Sequence, residues 1–425
     1  MTVDLELKWK SIPMNYKELT LANVLKSGQA FRWNYDSVDK IWSCSFDDRV
    51  IFLKQDELNL HYSDLFPNGN DDNENKTTKN KSTEQFIIDY FNLKLKNNVK
   101  LSELYESWSK IDDHFNEKIV NTVNKAKIRN YFGIRILRQD PWENLISFIC
   151  SSNNNIKRIS KMIGSLCENF GKFIIKFKNI DYFSFPSPKE ILEKFDFKVI
   201  NLINFLNDLK FGYRSKFIAN TTDMIYNRNG NKNDENNASC LSDLYNLRNL
   251  SYEESLDYLL KLNGVGRKVA DCVCLMSLDK HYTVPVDTHI LNITKKYYLT
   301  NKHIKNEDNK HIKSVRLKLA GTNLNKSNYD KISKFYIDLW GEYAGWAQAV
   351  LFTANINMED FENSAASVVP ATVKKKFPGT KDTTSTTSTT GSRNTKNSKR
   401  RILLKNLQLP KKPKIETTAD LVPLA

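Results

Sequence analysis

Cysteine is scarce in this chain, and the spacing of the few that occur argues against two kinds of site. Six cysteines are scattered over 425 residues, and only Cys272 and Cys274 lie close together. On a helix, two residues at this spacing point about 200° apart, so they do not converge on one metal ion. Neither a disulfide framework nor a zinc site is predicted, and reduced thiols are typical of an intracellular protein.

Long apolar runs are also missing. No such run reaches 18 residues, and the first segment, MTVDLELKWKS, has no signal-peptide core. We therefore expect a soluble protein without a membrane partner.

Acidic residues are outnumbered, with 49 Asp and Glu against 64 Lys and Arg and a net charge of +15. The segment from Asn357 to Ala425 has 13 basic and 6 acidic residues, so the preceding body is basic as well. A balance of this size indicates a polyanionic partner such as nucleic acid. A soluble protein with a basic tail is the simpler alternative.

The order of patterns along the chain predicts an α+β fold, because strand patterns precede helical ones. Short alternating runs from Trp9 to about Tyr62 indicate an antiparallel β-sheet. Helical spacing holds from about Ile111 to Ala354, and Asp140 with Pro141 is typical of a helix start.

The length suggests about two domains. We predict an N-terminal antiparallel β domain with flanking helices over residues 1–125, with a disordered insertion at 66–84, and an all-α domain over 126–355, with a polar insertion at 227–239. Residues 356–425 are predicted to be a disordered basic tail, whose clusters around Arg400 and Lys412 favour nuclear import or nucleic-acid contact.

The most informative segment is LNGVGRKVADCVC, from Leu262 to Cys274. A turn with two glycines, Gly264 and Gly266, between apolar flanks brings backbone N–H groups and a helix N-terminus to an anion such as a DNA phosphate. An ordinary helix-turn-helix corner is the alternative for the turn alone.

Lys268 lies in the first turn of the following helix, where the helix dipole disfavours a charged amine, and a neutral amine can form a Schiff base with a sugar carbon. An exposed lysine on phosphate is the simpler interpretation, although the adjacent Arg267 fits that role better. Cys272 shares the helix face of Lys268, and core packing is its more common use.

Asp287, in VPVDTHI, follows 19 residues after Lys268 and opens another predicted helix. It can be an N-cap and still stabilise positive charge on a sugar ring. His289 is a candidate phosphate contact on either interpretation.

LNGVGRKVADC together with VPVDTH resembles the helix-hairpin-helix DNA glycosylases with a Gly, Pro and Asp signature, and among them the eukaryotic 8-oxoguanine DNA glycosylase/AP lyases. Further similar blocks extend over about the first 355 residues: SGQAFRW (27–33), DYFNL, LRQDPWENLISFICSSNNNIKRI (137–159), FGYRSKFI (211–218) and WGEYAGWAQAVLF (340–352).

The resemblance implies a role for each matching residue. Lys268 would be the Schiff-base nucleophile and Asp287 the carboxylate that assists glycosidic cleavage. The carbonyl of Gly28 would accept the N7 proton that oxidised guanine has and guanine lacks. The extruded base would lie between Phe352 and Cys272, with Gln348 on its Watson–Crick edge, as base flipping requires.

The same resemblance assigns residues to the gap left in the duplex. Asn153 would fill space beside the estranged cytosine, Arg158 and Arg214 would donate hydrogen bonds to it, and Tyr213 would wedge at the kink. Two departures are small: Asn263 stands where the hairpin often has proline, and Thr288 follows Asp287 where an aliphatic residue is common.

The sequence thus predicts a monomeric, nuclear enzyme, with a mitochondrial pool allowed, that acts on double-stranded DNA containing oxidised guanine and uses no metal or organic cofactor. An endonuclease III type glycosylase would carry an iron–sulfur cluster on four grouped C-terminal cysteines, and no cysteine follows Cys274. An adenine-excising monofunctional relative would lack the lysine. A damage-binding protein without turnover needs neither Lys268 nor Asp287.

Overall fold

The computed structural model describes residues 6–46, 48–67, 82–120, 131–228, 240–299, 319 and 323–355. All of these belong to one compact unit, Met1–Val369. A second unit, Pro370–Ala425, lies outside the described residues, as does the predicted basic tail from residue 356 onward. The predicted domain boundaries therefore stay predictions.

An antiparallel sheet forms the N-terminal part, in the order β1-β5-β4-β3-β2. Its strands are β1 (Lys10–Pro13), β2 (Asn34–Asp36), β3 (Ile41–Ser45), β4 (Val50–Gln55) and β5 (Asn59–Leu65).

The central strand β4 is buried on both faces, because successive side chains of a strand point to opposite sides. Ile51 and Leu53 pack in a core with Leu21, Val24 and Ile87 from the helices on one face. Val50 and Phe52 point to the other face.

Helices follow the sheet, which confirms the predicted α+β class. In chain order they are α1 (Leu21–Leu25), α2 (Thr83–Tyr90), α3 (Leu101–Ile111), α4 (Asp113–Phe115), α5 (Pro141–Ser151), α6 (Ile156–Phe170), α7 (Pro188–Glu193), α8 (Val199–Asp208), α9 (Arg214–Arg228), α10 (Ser242–Asn246), α11 (Tyr252–Leu260), α12 (Arg267–Ser277), α13 (Thr288–Ile293), α14 (Lys326–Trp340) and α15 (Ala344–Asn355). Single tighter or wider turns occur at Lys96–Asn98, Asn116–Val120, Thr294–Tyr298 and Gly341–Tyr343.

A β-hairpin interrupts the region that the sequence predicts to be wholly helical, so that prediction is wrong here. Strands β6 (Phe173–Phe177) and β7 (Ile180–Phe183) pair across a two-residue turn, Lys178 and Asn179, both at positive φ. Positive φ at both positions is the geometry of a tight hairpin turn. Aromatic and β-branched residues flank the turn, and this is the signal that the helical interpretation passed over.

The hairpin covers the second face of the sheet. Phe52 of β4 packs edge-on against Phe177, with ring centroids 4.9 Å apart. The Tyr182 hydroxyl donates to Ser43 Oγ at 2.8 Å. The fold therefore sandwiches β4 between helices and a small hairpin.

The last residues of the first predicted insertion and the first residues of the second are helical, so both insertions are shorter than predicted. Ser82 accepts a hydrogen bond from Gln85 N at 3.2 Å, so α2 begins at Thr83, before the predicted end at residue 84. Helix α9 continues to Arg228, one residue past the predicted start of the second insertion. The insertions' remaining residues, 68–81 and 229–239, lie outside the described residues.

The predicted start of α5 is confirmed. Asp140 accepts from the backbone N–H groups of Trp142 and Glu143, both at 2.9 Å, and Pro141 occupies the first turn.

No helix within the described ranges is long and apolar enough to cross a membrane. All six cysteines are buried, and none of them forms a disulfide bond. Burial raises the pKa of Cys150 to about 12, so this thiol is uncharged at neutral pH.

An almost buried ion pair joins the sheet part to α5. Arg32, in the segment before β2, donates to both carboxylate oxygens of Glu143 at 2.8 and 2.7 Å. Its side chain is 7% exposed.

Replacing Glu143 with alanine is expected to lower the free energy of unfolding by about 3 kcal/mol, because the guanidinium of Arg32 stays buried without its carboxylate. Urea unfolding measures the loss. The control is Lys110→Ala, which breaks an exposed pair with Glu106 at 2.7 Å and is expected to change stability far less. Equal losses in the two variants would contradict this account of Arg32.

Candidate active site and nucleic-acid interface

The turn between α11 and α12 has the backbone that its glycines permit. Gly264 adopts φ +75°, and a Cβ added there would lie 2.6 Å from Cβ and Cγ of Phe217 on α9. Gly266 is the N-cap of α12, is exposed, and supplies no side-chain cap to the first backbone N–H groups of the helix. An uncapped helix N-terminus at the surface suits an anion such as phosphate.

Helix α9 holds this turn at Asn263, the position where similar hairpins often have proline. The hydroxyl of Thr221 donates to the carbonyl of Asn263 at 2.8 Å, and the Asn263 amide nitrogen lies 3.0 Å from the sulfur of Met224. Two side-chain contacts thus hold the residue that departs from the family pattern.

Lys268 is half-buried in the first turn of α12 and leans on α5. Its Nζ donates to Ser151 Oγ at 3.3 Å and lies 4.9 Å from the ring centroid of Phe148. The amine therefore rests between a hydroxyl and an aromatic face instead of extending into solvent. The sequence argument missed both contacts, although Phe148 and Ser151 fall within one of its matching blocks.

Asp287 is the N-cap of α13, as predicted from VPVDTHI. Its Oδ1 accepts from the backbone N–H groups of His289 at 2.9 Å and Ile290 at 3.0 Å. The two backbone donors therefore fix the position of the Asp287 carboxylate at the start of α13.

Cys272 connects the lysine and the carboxylate electrostatically. Its side chain is buried, and burial raises the pKa of its thiol to about 11, while the charge of Lys268 and a hydrogen bond with it act to lower this pKa and the charge of Asp287 acts to raise it. Lys268 and Asp287 thus both lie within electrostatic range of the Cys272 thiol.

Helix α15 carries the predicted base-pocket residues Gln348 and Phe352 one turn apart and packs against α13. The Gln348 side chain is buried. The rings of His289 and Phe352 meet edge to face with centroids 5.9 Å apart. This half of the pocket is therefore attached to the helix that Asp287 caps.

Gly28, the remaining predicted base-pocket residue, lies in the turn after α1, with φ +80°. A Cβ there would lie 3.0 Å from Ile156 Cδ1, at the start of α6. This contact places Gly28 next to the first residue of α6. The turn before it, at residues 152–155, holds Asn153 and is called the Asn153 turn.

Three of the four residues predicted for the duplex gap meet at that turn, and the fourth, Arg158, bonds to Lys210. The Tyr213 hydroxyl donates to the carbonyl of Ser152 at 2.8 Å, and Arg214 donates to the carbonyls of Ser152 and Asn153, the latter at 3.1 Å. Asn153 adopts φ 49° and is exposed. Arg158 Nη2 donates to the carbonyl of Lys210 at 3.3 Å.

The end of α5 connects Lys268 with Tyr213 and Arg214. Ser151 contacts Lys268, and the next residue, Ser152, accepts from Tyr213 and Arg214. Phe217 adds a second link, because it packs against Gly264 and lies 5.8 Å from the Tyr213 ring.

Arg267, whose position suggested a phosphate contact, is bonded to three side chains of the protein. Its guanidinium donates to Asp271 at 3.1 Å, to Asp330 at 3.1 Å and to the Tyr252 hydroxyl at 2.9 Å. Asp330 lies 63 residues away in the sequence, so spacing alone does not reveal this cluster.

Over the described part of the chain, no group of three or more His, Cys, Asp or Glu side chains is arranged to hold a metal ion.

Family models match most of the chain. The N-terminal domain of 8-oxoguanine DNA glycosylase matches residues 11–145, and the HhH-GPD superfamily base excision DNA repair protein matches residues 146–317.

Similar proteins match over nearly their full lengths. The N-glycosylase/DNA lyase of Saccharomyces cerevisiae is 35% identical over 382 residues, which are 87% of this chain and 90% of the relative. The N-glycosylase/DNA lyase OGG1 of Arabidopsis thaliana is 30% identical, covering 82% of this chain and 80% of the relative. A solved structure of MBOgg1 in complex with a low affinity DNA ligand has a TM-score of 0.59 and 27% identity, and covers 82% of this chain and 98% of that one.

Replacing Gly264 with alanine is expected to lower the free energy of unfolding by about 2 kcal/mol or more. Alanine is strained at the positive φ of this position, and its Cβ would clash with the Phe217 side chain. Chemical denaturation measures the loss. Gly266→Ala is the matched control, since Gly266 has φ −94° and open space around a Cβ. An equal loss at Gly266 would show that the close approach to Phe217 is not the cause.

Proposed function

We propose a function from one premise: this chain belongs to the 8-oxoguanine DNA glycosylase family of helix-hairpin-helix base-excision repair enzymes. On that premise, the protein is a bifunctional DNA glycosylase/AP lyase that removes 8-oxoguanine opposite cytosine from duplex DNA. One observation carries the proposal. The half-buried amine of Lys268 lies in the first turn of an uncapped helix, where its Nζ donates to Ser151 Oγ at 3.3 Å and lies 4.9 Å from the ring centroid of Phe148.

Base removal begins with attack by the amine of Lys268. Its lone pair attacks C1′ of the sugar as the bond from C1′ to the base nitrogen breaks, and the base leaves with that electron pair and takes up the proton that the attacking nitrogen gives up. The carboxylate of Asp287 stabilises the positive charge that develops on the sugar ring. The product is a covalent bond between Nζ and C1′.

Strand cleavage then follows from the same covalent bond. Opening of the sugar ring gives an imine between Nζ and C1′, which acidifies the proton on C2′. Loss of that proton and departure of the 3′ phosphate oxygen form a double bond between C2′ and C3′. This β-elimination nicks the strand 3′ to the lesion, and the route uses no metal or organic cofactor.

Recognition of the oxidised base is assigned to the pocket residues. The carbonyl of Gly28 accepts the N7 proton, Gln348 bonds the Watson–Crick edge, and Phe352 stacks on the base with Cys272 opposite. The buried amide of Gln348 and the uncharged thiol of Cys272 support this, because both suit a neutral, flat ligand.

The Asn153 turn is assigned to the gap that the extruded base leaves. Arg214 and Tyr213 already meet at the carbonyl of Ser152, and Arg158 is exposed. This supports Arg158 and Arg214 as donors to the estranged cytosine and Tyr213 as the wedge at the kink. His289 and the hairpin glycines are assigned to phosphates.

We further propose that the enzyme acts as a monomer in the nucleus. The basic clusters of the tail support import, and the charge of +15 favours DNA.

Borohydride should trap the protein covalently on a duplex with 8-oxoguanine opposite cytosine, because it reduces the imine on Lys268. Lys268→Gln should abolish trapping and leave binding within about twofold, as a gel assay measures. Lys261→Gln, at an exposed lysine near the hairpin, should trap normally. Undiminished trapping in Lys268→Gln would refute the assignment.

Asp287→Asn should slow base excision by about 100-fold under single-turnover conditions and weaken DNA binding far less. Asparagine caps helices as well as aspartate, so the start of α13 survives while the charge is lost. Asp140→Asn, at the cap of α5, controls for the loss of a capping charge elsewhere. Comparable losses of excision and binding in Asp287→Asn would instead favour a purely structural cap.

A further inference from the structure

A buried polar cluster lies behind the active site and takes no part in the steps above. Its centre is the carboxylate of Asp271, which is fully buried on α12, three residues after Lys268. Asp271 Oδ1 accepts from the Tyr252 hydroxyl at 2.7 Å, and Oδ2 accepts from the Tyr329 hydroxyl at 2.6 Å and from Arg267 Nε at 3.1 Å.

Tyr329 extends this cluster to the segment that carries Asp287. While its hydroxyl donates to Asp271, the same oxygen accepts from the backbone N–H of Val286 at 3.2 Å. Val286 is fully buried and directly precedes Asp287. One phenol therefore connects the helix of Lys268 with the residue before Asp287.

This tie differs from the bonds that Asp287 makes itself. The bonds to His289 and Ile290 orient the carboxylate on α13. They do not connect α13 to α12. The Tyr329 bridge spans the two elements, and its three groups are buried, where water does not compete for the hydrogen bonds.

We propose that Tyr329 is a positioning residue, which fixes the carboxylate of Asp287 relative to the amine of Lys268 by bonding Val286 N–H to Asp271. The inference rests on the proposed function, because it assigns the spacing of two groups that act on one sugar. Small misplacements of reacting groups slow catalysis strongly even when binding is preserved.

The chemistry of the bridge fits this role. Burial raises the pKa of Tyr329 well above its ordinary value, so the phenol keeps the proton that it donates to Asp271. Burial also raises the pKa of Asp271, and the two tyrosine hydrogen bonds and the charge of Arg267 oppose that rise. Arg267 in turn is held by Asp330, next to Tyr329 on α14.

The test is the single-turnover rate of excision from a duplex with 8-oxoguanine opposite cytosine in Tyr329→Phe, which removes only the bridging oxygen. The rate is normalised to the fraction of molecules that bind a tetrahydrofuran abasic-site duplex, so unfolded protein does not count. We expect a loss of about tenfold with unchanged affinity for that duplex.

Tyr252→Phe is the matched control, because it removes another phenol hydroxyl from the same carboxylate but does not touch Val286. Its excision rate should stay within about twofold of the wild type. Equal effects of Tyr252→Phe and Tyr329→Phe would overturn the proposal.

A double-mutant cycle separates positioning from a structural role. In the Asp287→Asn background, Tyr329→Phe should slow excision by less than about twofold further, because no charged carboxylate is left to position. A full additional tenfold loss there would overturn the proposal. If the wild type does not excise 8-oxoguanine at all, the proposed function itself fails, whereas an active wild type with a fully active Tyr329→Phe contradicts the positioning role alone.

Discussion

Helix α12 buries every residue from Val269 to Ser277, while its N-cap Gly266 is exposed and Lys268 stands at the boundary. Interiors are packed as densely as organic crystals, so a helix enclosed in this way has little freedom to rotate or slide. Packing therefore fixes both the uncapped end of the helix and the amine of Lys268 in its first turn. A lysine on a surface loop would be neither fixed by packing nor placed at the end of a helix.

The surrounding elements share contacts, so the site is more than a set of separate residues. The end of α5 supports Lys268 with Ser151 and holds Tyr213 and Arg214 through Ser152. Phe217 lies against Gly264 and near Tyr213. As a result, the hairpin, the amine and the residues assigned to the duplex gap are coupled by direct packing.

Local patterns predict the parts of this structure that depend on local physics. The Asp140 and Asp287 caps follow from one polar residue before a helical run, and the alternation from Trp9 to Tyr62 anticipates the sheet. The β6–β7 hairpin was missed because its strands are short and its turn lacks glycine. In the Asp271 cluster, the contact with Arg267 follows from a spacing of four residues on one helix. Tyr252 and Tyr329 come from other helices, and their contacts with Asp271 depend on how those helices pack.

On the proposed function, this packed site selects oxidised guanine opposite cytosine. Single-turnover excision tests this selection, with duplexes that carry 8-oxoguanine opposite each of the four bases beside duplexes with undamaged guanine or an oxidised pyrimidine. We expect the fastest release of 8-oxoguanine opposite cytosine and no release of normal guanine. Equal rates opposite all four bases, or faster release of the oxidised pyrimidine, would contradict this selectivity.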